Sequence, residues 1–300
     1  GSPVPAIIVA SPELSLPQNR DVWRIAAPLI LSNISVPLLG MVDTAVTGHL
    51  DSAVYLGAVA IGSTIFSFLY SGVNFLRMGT TGITAQCFGA GDDDGLRVAL
   101  GQSLVVATAI AFLLMLLQVP LNALATNLLG PGPEVAGYAS EYFSIRIWSA
   151  PATLANYALI GWFIGIHNTR LTFIIQVWMN CINIVLDLVF VIGFGWGVEG
   201  VAAATVIAEV SAALLGLYLY RKEITKIGSS NLKTKLLDTE KLRRMVGINI
   251  DIFIRTFCLI FAFAYFTAQA AKFGDSVLAA NAVLIQFLHF LSFGLDGFAQ

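Results

Sequence analysis

Long stretches of this 300-residue chain carry no acidic or basic side chain, among them 25–42, 52–76, 98–133, 147–169, 256–271 and 276–295. A helix rises about 1.5 Å per residue, so roughly 20 apolar residues cross the hydrocarbon core of a bilayer. Backbone groups in lipid must be hydrogen-bonded within the protein, and the stretches lack strand-like alternation. We therefore predict an all-α polytopic membrane protein.

The composition supports this prediction and excludes other classes. Hydrophobic residues make up 57% of the chain and charged residues 11%, against roughly 45–50% and 25% in soluble proteins. A net charge of −2 offers no attraction for nucleic acid, so no such partner is expected. The three histidines are far apart and no HExxH or GxSxG motif occurs. We therefore expect neither an enzyme nor a metal site nor a cofactor.

Hydropathy and turn residues divide the chain into eight predicted membrane spans. The only long polar connection, 222–239, holds most of the lysines and the flexible sequence Gly228-Ser229-Ser230, which is typical of a linker between two bundles. The predicted spans are 22–48, 54–82, 95–119, 135–165, 170–193, 199–221, 240–270 and 276–300.

The spans group into four predicted regions. Residues 1–20 are rich in proline and begin with Gly1-Ser2, like the remnant of a cleaved tag, so this segment is expected to be disordered. The other three regions are an N-terminal six-helix bundle at 21–221, a cytoplasmic linker at 222–239 and the start of a C-terminal bundle at 240–300.

A weak internal repeat supports two bundles of the same kind. Shifting the sequence by 222 residues places Ala58-Val59-Ala60 over Ala280-Asn281-Ala282 and Ser71-Gly72-Val73-Asn74 over Phe293-Gly294-Leu295-Asp296. Six spans in each unit, joined by a basic linker, give parallel repeats of the kind found in secondary transporters. A full second unit would run to roughly residue 440, so twelve helices are expected, of which this chain holds about eight.

The distribution of basic residues predicts the orientation in the membrane. With the N-terminus in the cytoplasm, 13 of the 16 lysines and arginines fall in cytoplasmic segments. Cytoplasmic loops carry such an excess of positive charge. We therefore expect a multi-pass protein of the inner (plasma) membrane with a cytoplasmic N-terminus.

Polar residues inside the spans are candidates for function, because placing a charged side chain inside the bilayer costs several kilocalories per mole of free energy. Asn183 and Asp187 share one face of span five with Asn180. In the predicted topology Asp43, Asp187, Tyr142 and Thr205 all fall in the outer half of the membrane. Four polar groups from four helices at similar depth predict a single site, although separate helix–helix hydrogen bonds would also account for them.

Two carboxylates that share a poorly hydrated cavity cannot both be ionised cheaply, so at least one should have a raised affinity for protons. Such a pair can bind a proton on one side of the membrane and release it on the other. The same oxygens, together with those of Asn183 and Thr205, can instead ligate Na⁺. Pro37 removes a backbone hydrogen bond six residues before Asp43, which predicts a kink or hinge in span one.

Several short motifs occur along the chain in a distinctive order and spacing. They are Met41-Val42-Asp43-Thr44 with Gly48, Gly89-Ala90-Gly91-Asp92, Asn183 with Asp187, and Gly197, Gly200 and Ala202-Ala203-Ala204-Thr205. In these motifs the sequence resembles the multidrug and toxic compound extrusion (MATE) transporters, in particular the DinF-like branch. The similarity covers about 20–300.

This resemblance implies twelve helices in two six-helix lobes and export of bulky, often cationic amphiphiles such as drugs and dyes in exchange for H⁺ or Na⁺. It implies a coupling site at Asp43, Asn183, Asp187 and Thr205 with Tyr142 nearby, and protonation of Asp43 that bends span one at Pro37. Glu209, Arg255 and Asp296 have no counterpart in the matching motifs. The residues expected to line the drug cavity are Met41, Phe66, Tyr70, Trp162 and Phe287.

Two alternatives stay open at this point. A flippase for lipid-linked saccharides shares the broad plan but should line its cavity with cations that bind pyrophosphate, and only Arg146 and Arg255 are candidates. The second alternative is an antiporter coupled to Na⁺ instead of H⁺. In every case the expected surroundings are the lipid bilayer, and we expect a monomer.

Overall fold

The computed structural model describes residues 53–225 continuously, and the positions 46, 250, 254–255, 257–259, 262, 284, 288 and 291–292. Within 53–225 the chain folds into helices and short turns, without a strand. The all-α prediction is therefore confirmed. The predicted linker, the second bundle and span one lie almost entirely outside the described residues, so the division of the chain into bundles stays a prediction.

Eight α-helices make up the continuous part. The helices are α1 (Ala53–Val73), α2 (Phe75–Gly89), α3 (Asp93–Leu116), α4 (Gln118–Leu129), α5 (Pro133–Arg146), α6 (Ala150–Gly165), α7 (Thr169–Asp187) and α8 (Val198–Ile224).

Four helical stretches among the described residues are long and apolar enough to cross a membrane. They agree closely with the predicted spans 54–82, 95–119, 170–193 and 199–221. The stretches are Val54–Gly89, Asp93–Leu116, Thr169–Gly193 and Val198–Ile224.

The predicted span 135–165 is not one continuous helix. A 3₁₀ turn at Ile147–Ser149 separates α5 from α6. Pro151 accounts for the break, because it has no N–H to donate to the carbonyl of Ile147, four residues earlier. The N–H of Ala150 bonds that carbonyl instead, and the tighter turn redirects the chain.

A proline also separates α3 from α4. Pro120 cannot donate to the carbonyl of Leu116, and the helix is interrupted at Leu117. A further helix then runs from Gln118 to Leu129, so helical structure continues well beyond the predicted end of span three at 119.

Helix α7 changes its winding immediately after Asp187. Residues Leu188–Gly193 form a π-helical turn that continues the same helical segment. π-helical segments are rare and occur often at functional sites, where the wider turn rotates the side chains that follow. The change of winding begins directly after Asp187, an acid of the predicted coupling site.

Helix α6 lies at the centre of the described bundle, packed against α2, α3 and α8. Its contact with α2 is made backbone to backbone, because a Cβ atom on Gly161 would lie 2.5 Å from the carbonyl oxygen of Arg77. Gly165, one turn later, packs equally closely on Thr84 and the carbonyl oxygen of Thr81. Small residues four apart allow this close approach between membrane helices.

Large apolar side chains cover the outside of the bundle. Phe112, Leu116, Val119 and Leu214 are all more than half exposed. Soluble proteins rarely expose so much contiguous apolar surface, whereas lipid-facing helices require it. The described part of the chain is thus a multi-pass membrane bundle.

Candidate functional site

Helices α7 and α8 pack side by side and present their polar residues to each other. The side-chain amide of Asn183 on α7 donates to the hydroxyl of Thr205 on α8, with an N–O distance of 3.3 Å. That hydroxyl in turn donates to the carbonyl oxygen of Val201 at 3.0 Å. Thr205 therefore uses its one proton within its own helix and offers a lone pair to Asn183.

The α7 face that meets α8 is otherwise buried and polar. Asn180, Asn183 and Asp187 are all buried, and Asp187 is fully enclosed. The side-chain oxygen of Asn183 is also buried and accepts no hydrogen bond from any described residue. A buried acceptor of this kind costs free energy unless a donor or a cation reaches it. The pair can thus receive a proton donor or a cation.

Tyr142 is fully buried, but its hydrogen bonds are made with Arg146 and Ser63 and not with Asn183 or Thr205. Its hydroxyl accepts a 2.7 Å hydrogen bond from Nη1 of Arg146 and lies 3.4 Å from the hydroxyl of Ser63. The ring of Tyr142 fills the space beside Gly62, where a Cβ atom would collide with it. Tyr142 therefore joins α5 to α1.

Arg146 is the cation of this neighbouring cluster. Its guanidinium carbon lies 4.8 Å from the centre of the Phe66 ring and 5.6 Å from that of Tyr142. Aromatic faces attract a cation, and the attraction is strongest where water is excluded. Phe66 and Tyr142 thus stabilise a guanidinium that would otherwise be costly in the membrane.

Glu209 lies on α8 one turn beyond Thr205, and its side chain is buried. Its carboxylate is hydrogen-bonded to the hydroxyl of Thr153 on α6, and its backbone carbonyl accepts from the side-chain amide of Asn156 at 3.0 Å. Glu209 also interacts electrostatically with Arg146. The cluster brings residues of α1, α5, α6 and α8 together.

Several predicted site residues lie outside the described residues. These are the acid of span one, the proline before it and two of the five cavity residues. The structure therefore describes only part of the predicted coupling site and cavity. The residues concerned are Asp43, Pro37, Met41 and Phe287.

Three predicted cavity residues are described. Phe66 and Tyr70 lie in the buried cluster around Tyr142, with the Phe66 and Tyr70 ring centres 5.6 Å apart. Trp162 is fully buried in a different cluster, where its indole N–H donates to the carbonyl of Leu96 at 2.9 Å and its ring packs on Tyr220. Their role as cavity walls stays a prediction.

Asn183 and Thr205, which the sequence places in one predicted site, are in contact in the structure. The partners of Arg146 and Glu209 were not predicted. Arg146 and Glu209 are isolated charges in apolar stretches of the sequence, and this isolation is the feature that could have identified them as candidate functional residues. The hydroxyl residues Ser63, Ser149 and Thr153 have no such feature, because such residues occur throughout membrane helices and commonly bond their own backbone.

Comparison with known proteins agrees with this fold. The MatE family model matches residues 28–189, a segment that includes Asn183 and Asp187. The chain is 44% identical over 281 residues to DNA damage-inducible protein F of Escherichia coli strain K12, covering 94% of this chain and 61% of that protein. It is 22% identical to multidrug export protein MepA of Staphylococcus aureus, covering 93% of this chain and 62% of that protein.

Solved structures share the fold. A MOP superfamily transporter from Pyrococcus furiosus superimposes with a TM-score of 0.82 at 20% identity, over 93% of this chain and 62% of that one. An outward-facing MATE family transporter superimposes with a TM-score of 0.81 at 19% identity, again over 93% of this chain and 62% of that one. The chain thus spans about three fifths of the length of these relatives. The family model covers more than half of the chain, which therefore belongs to the MatE family of multidrug and toxic compound extrusion transporters and not to an enzyme family.

Proposed function

We propose that the whole protein is a multidrug efflux antiporter that exports amphiphilic, often cationic compounds in exchange for H⁺. The observation that carries the proposal is the hydrogen bond between Asn183 and Thr205 beside the buried carboxylate of Asp187. Polar side chains from two membrane helices meet there, one helical turn from a buried acid, in a bundle whose outer surface is apolar. Intramembrane acids in such positions mark ion pathways.

The chemistry of the pair favours binding a proton or a cation. Protonation of a carboxyl creates an O–H donor, and the orphaned oxygen of Asn183 is a buried acceptor only one helical turn from Asp187. In the ionised state no described residue donates to that acceptor. Proton binding therefore improves the hydrogen bonding at the site, which is what a coupling site requires.

Asp43 is the proposed switch. Its place in the family motif and in the outer half of span one would bring it to the same depth as Asp187. Two such acids can exchange protons with one side of the membrane and then the other, as the cavity opens alternately. Protonation of Asp43 would bend span one at Pro37 and expel the bound compound.

The proposed location is the inner membrane, with the N-terminus in the cytoplasm and one chain per functional unit. The excess of lysine and arginine in the predicted cytoplasmic segments supports this orientation. The multidrug export protein of Staphylococcus aureus supports the substrate class. Substrates of this kind are held by shape and apolar contact, with few directed hydrogen bonds.

Dye efflux from energised vesicles that carry the complete protein tests the proposal. Wild type, Asp43→Asn and Asp187→Asn are compared under a gradient of H⁺ alone and of Na⁺ alone. The matched control is Asp93→Asn, an exposed acid in the first turn of α3. We expect H⁺-driven efflux by wild type and the control, and its loss in both site variants.

Other outcomes separate the alternatives. Efflux driven by Na⁺ and not by H⁺ would assign the same oxygens to a sodium site. Undiminished H⁺-driven efflux in Asp43→Asn would overturn the proposed switch. Absence of dye efflux from wild type under either gradient would favour the lipid-linked saccharide flippase.

A further inference from the structure

Two carboxylates are buried among the described residues, Asp187 and Glu209, and the proposed coupling site uses only the first. Each lies one helical turn from the hydrogen-bonded pair of Asn183 and Thr205. Glu209 follows Thr205 on α8, and Asp187 follows Asn183 on α7. A buried acid next to a coupling site is costly, which points to a role for Glu209 in function or in packing.

The hydroxyl of Thr153 is a hydrogen-bond partner of the Glu209 carboxylate. Its oxygen contacts the carboxylate of Glu209 and lies 3.1 Å from the carbonyl oxygen of Ser149. A hydroxyl has one proton to donate and two lone pairs. It cannot donate to an ionised Glu209 and to the Ser149 carbonyl at the same time.

A protonated Glu209 removes this competition. The carboxyl O–H then donates to Thr153, and Thr153 donates to the carbonyl of Ser149. When Glu209 loses its proton, Thr153 turns its own proton to the carboxylate, and the Ser149 carbonyl keeps the backbone bond that an α-helix gives its N-cap residue. Rotation of one hydroxyl thus provides a hydrogen-bond pattern for each protonation state.

The hydroxyls of Ser149 and of Tyr70 on α1 continue this group of hydrogen-bonding side chains beyond Thr153. The Tyr70 hydroxyl lies 3.5 Å from the hydroxyl oxygens of Ser149 and Thr153, and those two lie 3.4 Å apart. Each can donate or accept, so the group adapts to either state of the acid.

Charge in the surroundings compensates the ionised form. Arg146 carries the opposite charge and interacts electrostatically with Glu209. Tyr70 of α1 and Tyr157 of α6 also interact with Glu209. Beyond this first group, Tyr142 of α5 acts on Arg146 and Arg77 of α2 acts on Tyr157. The other buried acid, Asp187, lies on α7.

From this geometry we propose that Glu209 is a further proton-binding acid of the transport cycle, positioned by Thr153 and balanced by Arg146. The inference rests on the proposed antiport function. When a cationic substrate binds in the bundle, the carboxyl O–H of Glu209 dissociates, the proton leaves to the aqueous side, and the carboxylate remains balanced by Arg146 and by the added positive charge. Each exported cation then exchanges for one proton more than the coupling site of Asp43 and Asp187 alone would allow.

Proton release on substrate binding measures this directly. The complete purified protein is placed in weakly buffered detergent solution with a pH-indicator dye, and ethidium, a monovalent cation, is added to saturation. The measurement is repeated over the pH range in which the protein is stable. We expect Glu209→Gln to release one proton fewer per bound ethidium than wild type, because the amide stands in for the protonated acid. Equal release by the two proteins would overturn the proposal.

Two variants serve as controls. Glu141→Gln removes an exposed acid on α5 and should release as many protons as wild type. Glu209→Asp keeps a carboxyl and should restore the proton that Glu209→Gln loses. Failure of the aspartate variant to release more than the glutamine variant would indicate a purely structural role and contradict the proposal.

The same assay separates this inference from the proposed function. If Asp43→Asn releases as many protons as wild type and Glu209→Gln fewer, the Asp43 switch fails and the Glu209 site stands. The infrared difference spectrum of wild type on ethidium binding should show loss of a protonated-carboxyl band, and the position of this band should shift in Glu209→Asp. A spectrum without such a loss would count against a protonated Glu209.

Discussion

Asn183 and Thr205 join two neighbouring membrane helices through one hydrogen bond, 3.3 Å from the amide nitrogen to the hydroxyl oxygen. The bond fixes the rotation of α7 against α8, and with it the position of Asp187 one turn later. Because the Thr205 proton is used within α8, its oxygen is the acceptor and Asn183 the donor. The pair therefore orients the site as well as stabilising it.

Thr205→Val should impair this site without changing its volume. The substitution leaves the buried amide of Asn183 without its acceptor, which costs about 1 kcal/mol in a membrane bundle. We expect a lower melting temperature of the purified protein and weaker H⁺-driven efflux. Thr205→Ser keeps the hydroxyl and should preserve most of both. Efflux by Thr205→Val equal to that of Thr205→Ser would show that the hydrogen bond does not orient the site.

Gly161→Ala should destabilise the bundle. Its Cβ atom would meet the Arg77 carbonyl oxygen at 2.5 Å, and backbone atoms cannot move aside as a flexible side chain can. We expect a loss of about 2 kcal/mol or more in the free energy of unfolding, from separation of α2 and α6. The measurement is denaturant unfolding in detergent.

Gly82→Ala is the matched control for that change. Gly82 is exposed within α2, and nothing lies within 4 Å of a Cβ atom placed there. Alanine favours a helix interior over glycine by about 0.5–1 kcal/mol, so this variant should be as stable as wild type or more so. Equal loss of stability in the two variants would contradict the close packing of α2 on α6.

Arg146→Met should be less harmful when Glu209 is neutralised in the same protein. With ethidium bound, when Glu209 is ionised, the single change leaves the carboxylate without its compensating cation, and we expect a loss of about 2 kcal/mol. Combining it with Glu209→Gln should recover about 1 kcal/mol relative to the sum of the single changes. A double-mutant cycle by thermal unfolding at saturating ethidium measures this coupling. Strict additivity would show that the two charges do not compensate each other.

Trp162→Phe distinguishes packing from ligand contact. Trp162 is fully buried, and its indole N–H satisfies the carbonyl of Leu96. The substitution leaves that carbonyl unpaired and a small void, so we expect a loss of about 2 kcal/mol of stability. Dye affinity, measured by fluorescence titration, should be unchanged. A lower affinity at unchanged stability would assign Trp162 to the cavity wall.

The sequence predicted the spans well because a stretch of about 20 apolar residues without charge is rare outside membrane helices. The ends of α7 with its π turn and of α8 lie within a few residues of the predicted spans 170–193 and 199–221. The helix face that carries Asn183 and Asp187 followed from spacing alone. Contact of that face with Thr205 required only that adjacent helices pack together.

The breaks and the second polar cluster could not be predicted in the same way. Pro151 was visible in the sequence, but a proline is tolerated in a membrane helix or ends it, depending on neighbouring contacts. The contacts of Tyr142 with Ser63 and of Arg146 with Phe66 depend on the rotation of α5 against α1. That rotation is set by the close fit of the Tyr142 ring beside Gly62. Hydropathy carries no information about such rotations.

The most direct test of proton-coupled antiport is proton movement driven by substrate. The complete protein is reconstituted into vesicles with equal pH on both sides, and a gradient of ethidium is imposed. We predict that protons move opposite to the dye with wild type and that this movement is abolished in Asp43→Asn. Dye movement by wild type without any opposing movement of protons would contradict proton-coupled antiport.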